Sequence, residues 1–367
     1  MSLHQVKYCN KYDLSFLVQS RGNGWADTFH LGNCGFLIDI SGLNKISFNS
    51  NKTQATIQGG ALVQDMINAA FGNNTRFATP TCNCLGYLGA FLGGGITREM
   101  GLYGAGVDQI VSVNLVTASG QALQVDQTHN PDLWYAIRGA GANFGIVTSA
   151  IIKAYPIPQA LNIAWEGAVT FADEKLESLI QAIHDLDLKP HMEIDFLFST
   201  SGPPTYTPMI TAIPFFLGNA SAAEAAFAPI LKVGPTSNGA TELPYTEWGA
   251  FTASFCEKGE RKPVYGVSLA RQGLDAEIWR SVYDEYKGFV AAYPEAANST
   301  ILAEYYPIQK QVAIGSATSS YPFRDIPVHV AVIPLYANSS LDAAANAYGS
   351  RVRDLLRATD GLARNST

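Results

Sequence analysis

Two glycine-rich stretches constrain the fold of this chain more than any other feature. The first, LGGGITREMGLYGAG, contains Gly93, Gly94 and Gly95, and the second, RGAGANFG, ends at Gly145. Glycine has no Cβ atom, so the main chain can approach a neighbour closely at these positions. Both stretches therefore indicate backbone packed against a bulky partner. That partner is either a ligand or another segment of the protein.

Length and composition indicate two domains and a large core. The chain has 367 residues, 47% of them hydrophobic, and a formal net charge of −7. The segment Pro156-Ile157-Pro158 marks the expected boundary, giving domains of 1–157 and 158–367. Lysine and arginine are scattered, so we expect a small-molecule substrate and no nucleic-acid partner. The apolar runs are strand-sized, so we expect no membrane partner. The oligomeric state stays open.

Cysteines and sequons bear on the compartment. Five cysteines are too few and too dispersed for a disulfide scaffold, and an odd number leaves at least one thiol. Cys82-x-Cys84 has no second cysteine or histidine pair nearby, so no zinc site is expected. The N-terminal sequence shows no signal-peptide core, whereas the sequons favour a secretory origin, so the compartment stays open. The six Asn-x-Ser/Thr sequons are at Asn51, Asn73, Asn219, Asn298, Asn338 and Asn365.

Hydrophobic periodicity predicts the secondary structure. Ala61–Phe71 carries apolar residues at helical spacing, and so do Ala172–Leu186 and Asp275–Ala292. Ile163–Phe171 is predicted to be one strand, and Met192–Phe198 another. Strands that alternate with amphipathic helices after residue 158 predict an α+β sheet covered on one side by helices.

The order and spacing of the motifs between Thr81 and Pro156 resemble the flavin-binding domain of the berberine-bridge-enzyme-like oxidases. These belong to the vanillyl-alcohol-oxidase (PCMH) type of FAD-linked oxidases. The resemblance covers roughly residues 5–157 and continues more loosely beyond them. It implies a two-domain α+β fold, with an FAD-binding domain and an antiparallel-sheet substrate domain covered by helices. Relatives carry further segments at both ends, so the resemblance implies that this sequence lacks the usual N- and C-terminal segments.

The resemblance also implies a cofactor site. Gln19–Trp25 aligns with a family turn that wraps the FAD pyrophosphate and whose histidine often bonds to the flavin. Asn23 takes the histidine position, and its amide can only hydrogen-bond a flavin edge. Arg21 either pairs with a phosphate or fills space. Cys82 stands where many relatives carry a flavin-bonding cysteine, so it forms either a thioether or a buried thiol. The implied cofactor contacts are Ser20, Arg21, Gly22, Asn23, Gly24, Trp25, Cys82, Gly86, Gly93, Gly94, Gly95, Asn143, Gly145, Ile146 and Val147.

Candidate catalytic residues follow from strand alternation in the second half. Glu304 and Tyr306 share one face of a predicted strand, and Glu193 and Asp195 lie opposite an apolar face of another. Relatives place a carboxylate base and aromatic residues on comparable strands that face the flavin. A base of this kind needs a partly apolar pocket, and the alternative is a solvated strand face. The candidates are Glu304, Tyr306, Tyr265 and Glu193, whereas His184 and His329 are expected to be structural.

Three functions remain open at this point. The resemblance implies an FAD-dependent oxidase of a small, largely apolar secondary metabolite, with hydride transfer to flavin and re-oxidation by dioxygen. The missing histidine at Asn23 leaves open a flavin-independent isomerase or cyclase that uses the same fold. A non-catalytic binding protein is the third possibility.

Overall fold

The computed structural model describes residues 2–25, 29–32 and 34–362. The chain divides into two compact units that interleave along the sequence. Unit 1 comprises Met1–Ile163, Leu243–Glu257 and Ile308–Asp325, and unit 2 comprises Ala164–Glu242, Lys258–Pro307 and Ile326–Thr367. The sequence predicts a single division at residue 157, whereas the chain leaves unit 1 after Ile163 and returns to it twice. Local composition does not report these returns, because they depend on contacts between segments distant in sequence.

The two longest helices of the described residues lie in unit 2. The longest, α9 and α11, have 17 residues each, and no helix of the described ranges is both long and apolar enough to cross a membrane. The α-helices are α1 (Ser2–Lys11), α2 (Val63–Phe71), α3 (Tyr87–Phe91), α4 (Met100–Tyr103), α5 (Pro131–Ala140), α6 (Leu176–Asp185), α7 (Ala220–Ala226), α8 (Ala228–Leu231), α9 (Ala276–Ala292), α10 (Gln309–Ile314) and α11 (Asp342–Ala358).

The strands form two larger sheets and two small ones. They are β1 (Phe16–Gln19), β2 (Phe36–Asp39), β3 (Ile46–Phe48), β4 (Gln54–Gln58), β5 (Thr75–Arg76), β6 (Ile110–Val116), β7 (Ala122–Val125), β8 (Ile146–Lys153), β9 (Tyr155–Pro156), β10 (Ile163–Glu166), β11 (Val169–Phe171), β12 (Met192–Thr200), β13 (Pro208–Phe216), β14 (Ser237–Asn238), β15 (Thr241–Pro244), β16 (Tyr265–Leu269), β17 (Thr300–Tyr305) and β18 (Val328–Ile333).

Unit 1 is built on a five-stranded antiparallel sheet in the order β3-β4-β8-β6-β7. Strands β1 and β2 form a separate parallel pair, in which Phe16 is opposite Phe36. Alternation buries Ala55 and Ile57 of β4, as expected for a strand with one covered face. A second apolar cluster joins α1, β2, β6 and β8 and holds the parallel pair beside the main sheet.

Unit 2 is a nine-stranded sheet whose main path runs β14-β11-β13-β12-β17-β18-β16. Helices α6, α9 and α11 contribute to one apolar core with a single face of this sheet. In β12 the residues Ile194, Phe196 and Phe198 belong to that core, so Glu193 and Asp195 point to the opposite face. The predicted α+β architecture, with an antiparallel sheet covered by helices, is confirmed.

The single strand predicted over Ile163–Phe171 is wrong. Two strands, β10 and β11, occupy this segment, and Gly167 separates them with φ +153°. A Cβ atom at Gly167 would overlap the backbone of Gly239 and Ala240. The chain therefore bends where another segment passes close to it, which an apolar run alone does not reveal.

Candidate functional site

The turn Gln19–Trp25 of unit 1 follows directly after β1. The Ser20 hydroxyl donates to the Gly59 carbonyl at 2.9 Å, and Arg21 Nε donates to the Gly60 carbonyl at 2.7 Å. The Arg21 guanidinium also lies 4.0 Å from Asp65. These contacts occupy Arg21 Nε within unit 1 and leave both alternatives for Arg21, a phosphate contact or packing. Gly22 occupies the left-handed region, with φ +68°, where glycine is favoured.

The turn packs against the segment Cys82–Gly86. A Cβ atom at Gly86 would lie 2.7 Å from the Ser20 hydroxyl oxygen, so this close approach requires glycine. The amide of Asn23 lies 3.8 Å from the sulfur of Cys84. The two positions at which relatives attach flavin, Asn23 and Cys82, are therefore on segments that touch each other.

Cys84 forms a disulfide with Cys256, which the sequence analysis did not foresee. The two residues are 172 positions apart, and no local pattern links them. Cys82 is outside this disulfide and is half-buried. Its placement is compatible with either the thioether or the buried thiol that the sequence left open.

Helix α3 presents bare backbone beside this segment. Gly89 in the helix and Gly93 just after its end are exposed and form a strip on one side, whereas Gly86 at the N-terminal end is buried against Ser20. A Cβ atom at Gly89 would meet no heavy atom within 4 Å. Side chains leave this strip uncovered, so a large planar group can lie directly on the main chain. The residues present thus fit a flavin cofactor next to Cys82.

The glycine cluster after α3 packs mainly against protein. Gly94 has φ +135°, and a Cβ atom there would lie 2.5 Å from the Tyr321 ring. Gly95 has φ +75°, and a Cβ atom there would lie 2.8 Å from Phe91 and from Gly106. Of the two partners that the sequence allowed for these two glycines, the structure shows another segment of the chain.

The second glycine-rich stretch also serves packing. Gly145 has φ +143° and lies against the Val116 carbonyl. Ile146 and Val147 are 4% and 5% exposed, so their side chains belong to the interior of unit 1. Asn143 is exposed and donates to the Ala140 carbonyl at 3.3 Å. At the other end of the site, Trp25 is also exposed and Gly24 packs against the ring of Phe29.

Unit 2 gathers ionisable groups on the sheet face opposite its helices. In the strand register, Asp195 of β12 lies opposite Glu304 of β17, and Glu304 lies opposite His329 of β18. The Tyr306 hydroxyl donates to Glu304 Oε1 at 2.8 Å. We call the side of the sheet that carries Glu193, Asp195 and Glu304 the carboxylate face. Solvent does not cover this face, because Glu193, Asp195 and Tyr306 are each 1% exposed. The described residues contain no cluster arranged to hold a metal ion.

Electrostatics define the protonation states at this face. Burial raises the pKa of Tyr306 well above its usual range, and Glu304, Glu193 and Asp195 raise it further. Tyr306 is therefore a neutral hydrogen-bond donor. Burial lowers the pKa of His329 to about 4, so its imidazole is neutral at pH 7. The sequence analysis predicts only a structural role for His329. Its place on the carboxylate face is indicated by its position between Val328 and Val330, whose side chains face the core.

Tyr265 lies apart from these groups. Its hydroxyl donates to the Asn346 side chain of α11 at 2.9 Å, and its ring packs against Gly349. Val267 and Leu269, which share its strand face, belong to the helix-covered core. The structure therefore does not bring Tyr265 to the carboxylate face, although Glu304, Tyr306 and Glu193 do meet there.

Comparison with known proteins identifies the family. Residues 4–126 match the model of an FAD binding domain. An FAD-linked oxidoreductase of Pyricularia oryzae is 33% identical over 97% of this chain and 71% of its own length. Another, of Penicillium roqueforti, is 30% identical over 93% of this chain and 68% of its own length.

Solved structures share the fold. Berberine bridge enzyme from Eschscholzia californica superposes with a TM-score of 0.82 at 16% identity, covering 99% of this chain and 74% of its own. The 6-hydroxy-D-nicotine oxidase of Arthrobacter nicotinovorans gives 0.77 at 21% identity, covering 97% and 78%. These likenesses confirm the two-domain PCMH-type fold. The chain belongs to the FAD-linked oxidoreductases.

Proposed function

We propose that this FAD-dependent oxidoreductase is an oxidase of a small, largely apolar secondary metabolite. The observation that carries the proposal is the hydrogen bond between Tyr306 and Glu304 on a buried face with two further carboxylates. When bound, FAD supplies an acceptor for the two electrons of a hydride, and dioxygen takes them up as hydrogen peroxide. The substrate loses one proton and one hydride in total.

Glu304 is the proposed base. Its Oε1 accepts a hydrogen bond from the Tyr306 hydroxyl, and this bond fixes the orientation of the carboxylate. Tyr306 cannot itself take the substrate proton, because its raised pKa keeps the hydroxyl protonated. A positioned base contributes roughly 10²–10⁴-fold to the rate of such a step. His329 lies opposite Glu304 on the neighbouring strand and is neutral, so it adds no charge beside the carboxylate.

The cofactor site of the proposal is the turn Ser20–Trp25, Cys82 and the bare face of α3. The Cys82 thiol is proposed to form a thioether to a carbon of the flavin ring. The thiol hydrogen and the replaced ring hydrogen, with two electrons, reduce dioxygen to hydrogen peroxide. Cys84 and Gly86, which follow Cys82 in the chain, contact the Asn23 turn, and this supports the link. Asn23 cannot make the second bond that a histidine makes in relatives.

The test is peroxide production with a panel of small alcohols, phenols and amines. We expect Glu304→Gln to lower the turnover rate at least about 100-fold without loss of bound flavin. Glu277→Gln, an exposed position in the first turn of α9, is the matched control and should retain the rate. Full activity of Glu304→Gln on a true substrate would exclude Glu304 as the base.

An isomerase or cyclase without flavin is the alternative function. The loss of the histidine at Asn23 is the observation that favours it, since one flavin attachment is absent. The carboxylate face would then transfer protons within one substrate. A product of the same mass as the substrate, formed by protein that retains no flavin after incubation with excess FAD, would establish this alternative.

A further inference from the structure

The Cys84–Cys256 disulfide joins the proposed flavin-attachment segment to a distant part of unit 1. Cys84 lies two residues after Cys82, and Cys256 is the penultimate residue of the return segment Leu243–Glu257. The bridge therefore connects the two segments immediately beside the thiol that is proposed to bond flavin.

Further contacts hold Thr81–Leu85 along the same side. The Asn83 side chain donates to the Trp248 carbonyl at 2.7 Å, and Thr252 donates to the Thr81 carbonyl at 3.4 Å. Gly249 has φ +76°, and a Cβ atom there would overlap the Thr81 carbonyl. The return segment is thus fitted closely against the residues that flank Cys82.

Helix α2 holds the segment from a second direction. The backbone N–H groups of Val63 and Gln64 donate to the carbonyls of Leu85 and Asn83, each at 3.0 Å. The Gln64 side chain accepts from Asn83 at 2.9 Å. Polar contacts therefore fix both neighbours of Cys84, and the disulfide is the covalent member of this set.

We propose that Cys84 and Cys256 are positioning residues, whose disulfide holds Thr81–Leu85 in the conformation that binds FAD. This inference rests on the proposed function, because it requires the segment to be part of the cofactor site. A binding segment that is ordered before the ligand arrives avoids the entropy cost of ordering it on binding. Reduction of the bridge, in which a dithiol gives two electrons and two protons to the two sulfurs, should therefore weaken FAD binding.

The experiment measures FAD affinity in flavin-stripped protein by quenching of flavin fluorescence. All variants carry Cys82→Ser, so binding is reversible and the thiol two residues from Cys84 cannot exchange with the bridge. The test variant adds Cys84→Ser and Cys256→Ser, and the matched control adds Cys34→Ser, an exposed cysteine outside the disulfide. Dithiothreitol on the unmodified bridge gives an independent route to the same state, and circular dichroism confirms folding at the working temperature.

We expect the double serine variant to bind FAD at least about tenfold more weakly, with the Cys34→Ser control unchanged. Dithiothreitol should shift the affinity of the bridged protein by a similar factor and leave the double variant unaffected. Equal affinity of the bridged and unbridged folded proteins would overturn the inference alone. Failure of the bridged protein to bind FAD would instead overturn the proposed function.

Discussion

A buried ion pair fixes Ile308–Asp325, the second segment with which the chain returns to unit 1. Arg324 donates to Asp108 through two parallel bonds, Nη1 to Oδ2 at 2.9 Å and Nη2 to Oδ1 at 2.8 Å. The two side chains are 4% and 3% exposed. Nη2 also donates to the Ser319 hydroxyl at 2.7 Å, and Asp108 Oδ2 accepts the Ala105 N–H at 3.0 Å. The pair thereby anchors the residues next to Tyr321, whose ring covers Gly94.

Replacement of Arg324 by methionine keeps most of the volume and removes the charge. Asp108 then remains buried and loses two charge-assisted hydrogen bonds, while it keeps the bond from the Ala105 N–H. Removing one partner of a buried pair costs about 3–5 kcal/mol. For a unit of this size, this loss of free energy corresponds to a fall of roughly 6–20 °C in the melting temperature of unit 1.

Differential scanning calorimetry measures the change, and Arg261 offers the matched control. Arg261 also binds a carboxylate through two bonds of 2.6 Å, to Asp342, but the side chains are 47% and 38% exposed. We expect Arg261→Met to leave the melting temperature nearly unchanged, because solvent screens an exposed pair. Adding Asp108→Asn to Arg324→Met should recover part of the loss, since the uncompensated charge is gone. Equal effects of Arg324→Met and Arg261→Met would refute the argument from burial.

Three further predictions follow from the same structure. Burial raises the pKa of Glu99 from 4.5 to about 7, although Arg76 and Arg98 act in the opposite direction. Between these two pH values the folded state binds a proton that the unfolded state has released. The free energy of unfolding therefore falls as the pH rises from about 4.5 through 7. Glu99→Gln should flatten this dependence, which urea denaturation at several pH values measures, and an unchanged slope would count against it. Gly89→Ala should leave the thermal stability of the flavin-free protein equal or higher, because alanine favours helix, yet weaken FAD binding; unchanged affinity would remove α3 from the cofactor site. Cys82→Ala should release all flavin on acid precipitation, whereas flavin retained in the pellet would place the bond elsewhere.

Local patterns predicted much of unit 2 from the sequence. The apolar spacing in Ala172–Leu186 reflects a helix that packs on the sheet, and α6 occupies Leu176–Asp185 of this segment. Alternation in β12 correctly separated Ile194 and its apolar neighbours from Glu193. Such periodicities are visible because each residue's burial depends on its own element.

Features that depend on distant segments were not predictable in this way. The partner of Cys84 lies 172 residues away, and Gly94 is fitted to a ring on a later return segment. Tyr265 and Tyr306 are both tyrosines, but Tyr265 lies on the sheet face that the helices cover. The position of a residue within its strand decides which face it occupies, and the residue type does not. His329 lies on the carboxylate face because its strand pairs with the strand of Glu304. The sequence does not show which strands pair with each other.

The absorption spectrum of the purified protein, taken after incubation with excess FAD and again after acid precipitation, tests the central claim most directly. The account predicts flavin bands in the native protein and flavin that stays with the precipitated chain through Cys82. Flavin released into the supernatant would keep the oxidoreductase and remove the thioether. Protein that retains no flavin at all would contradict the account.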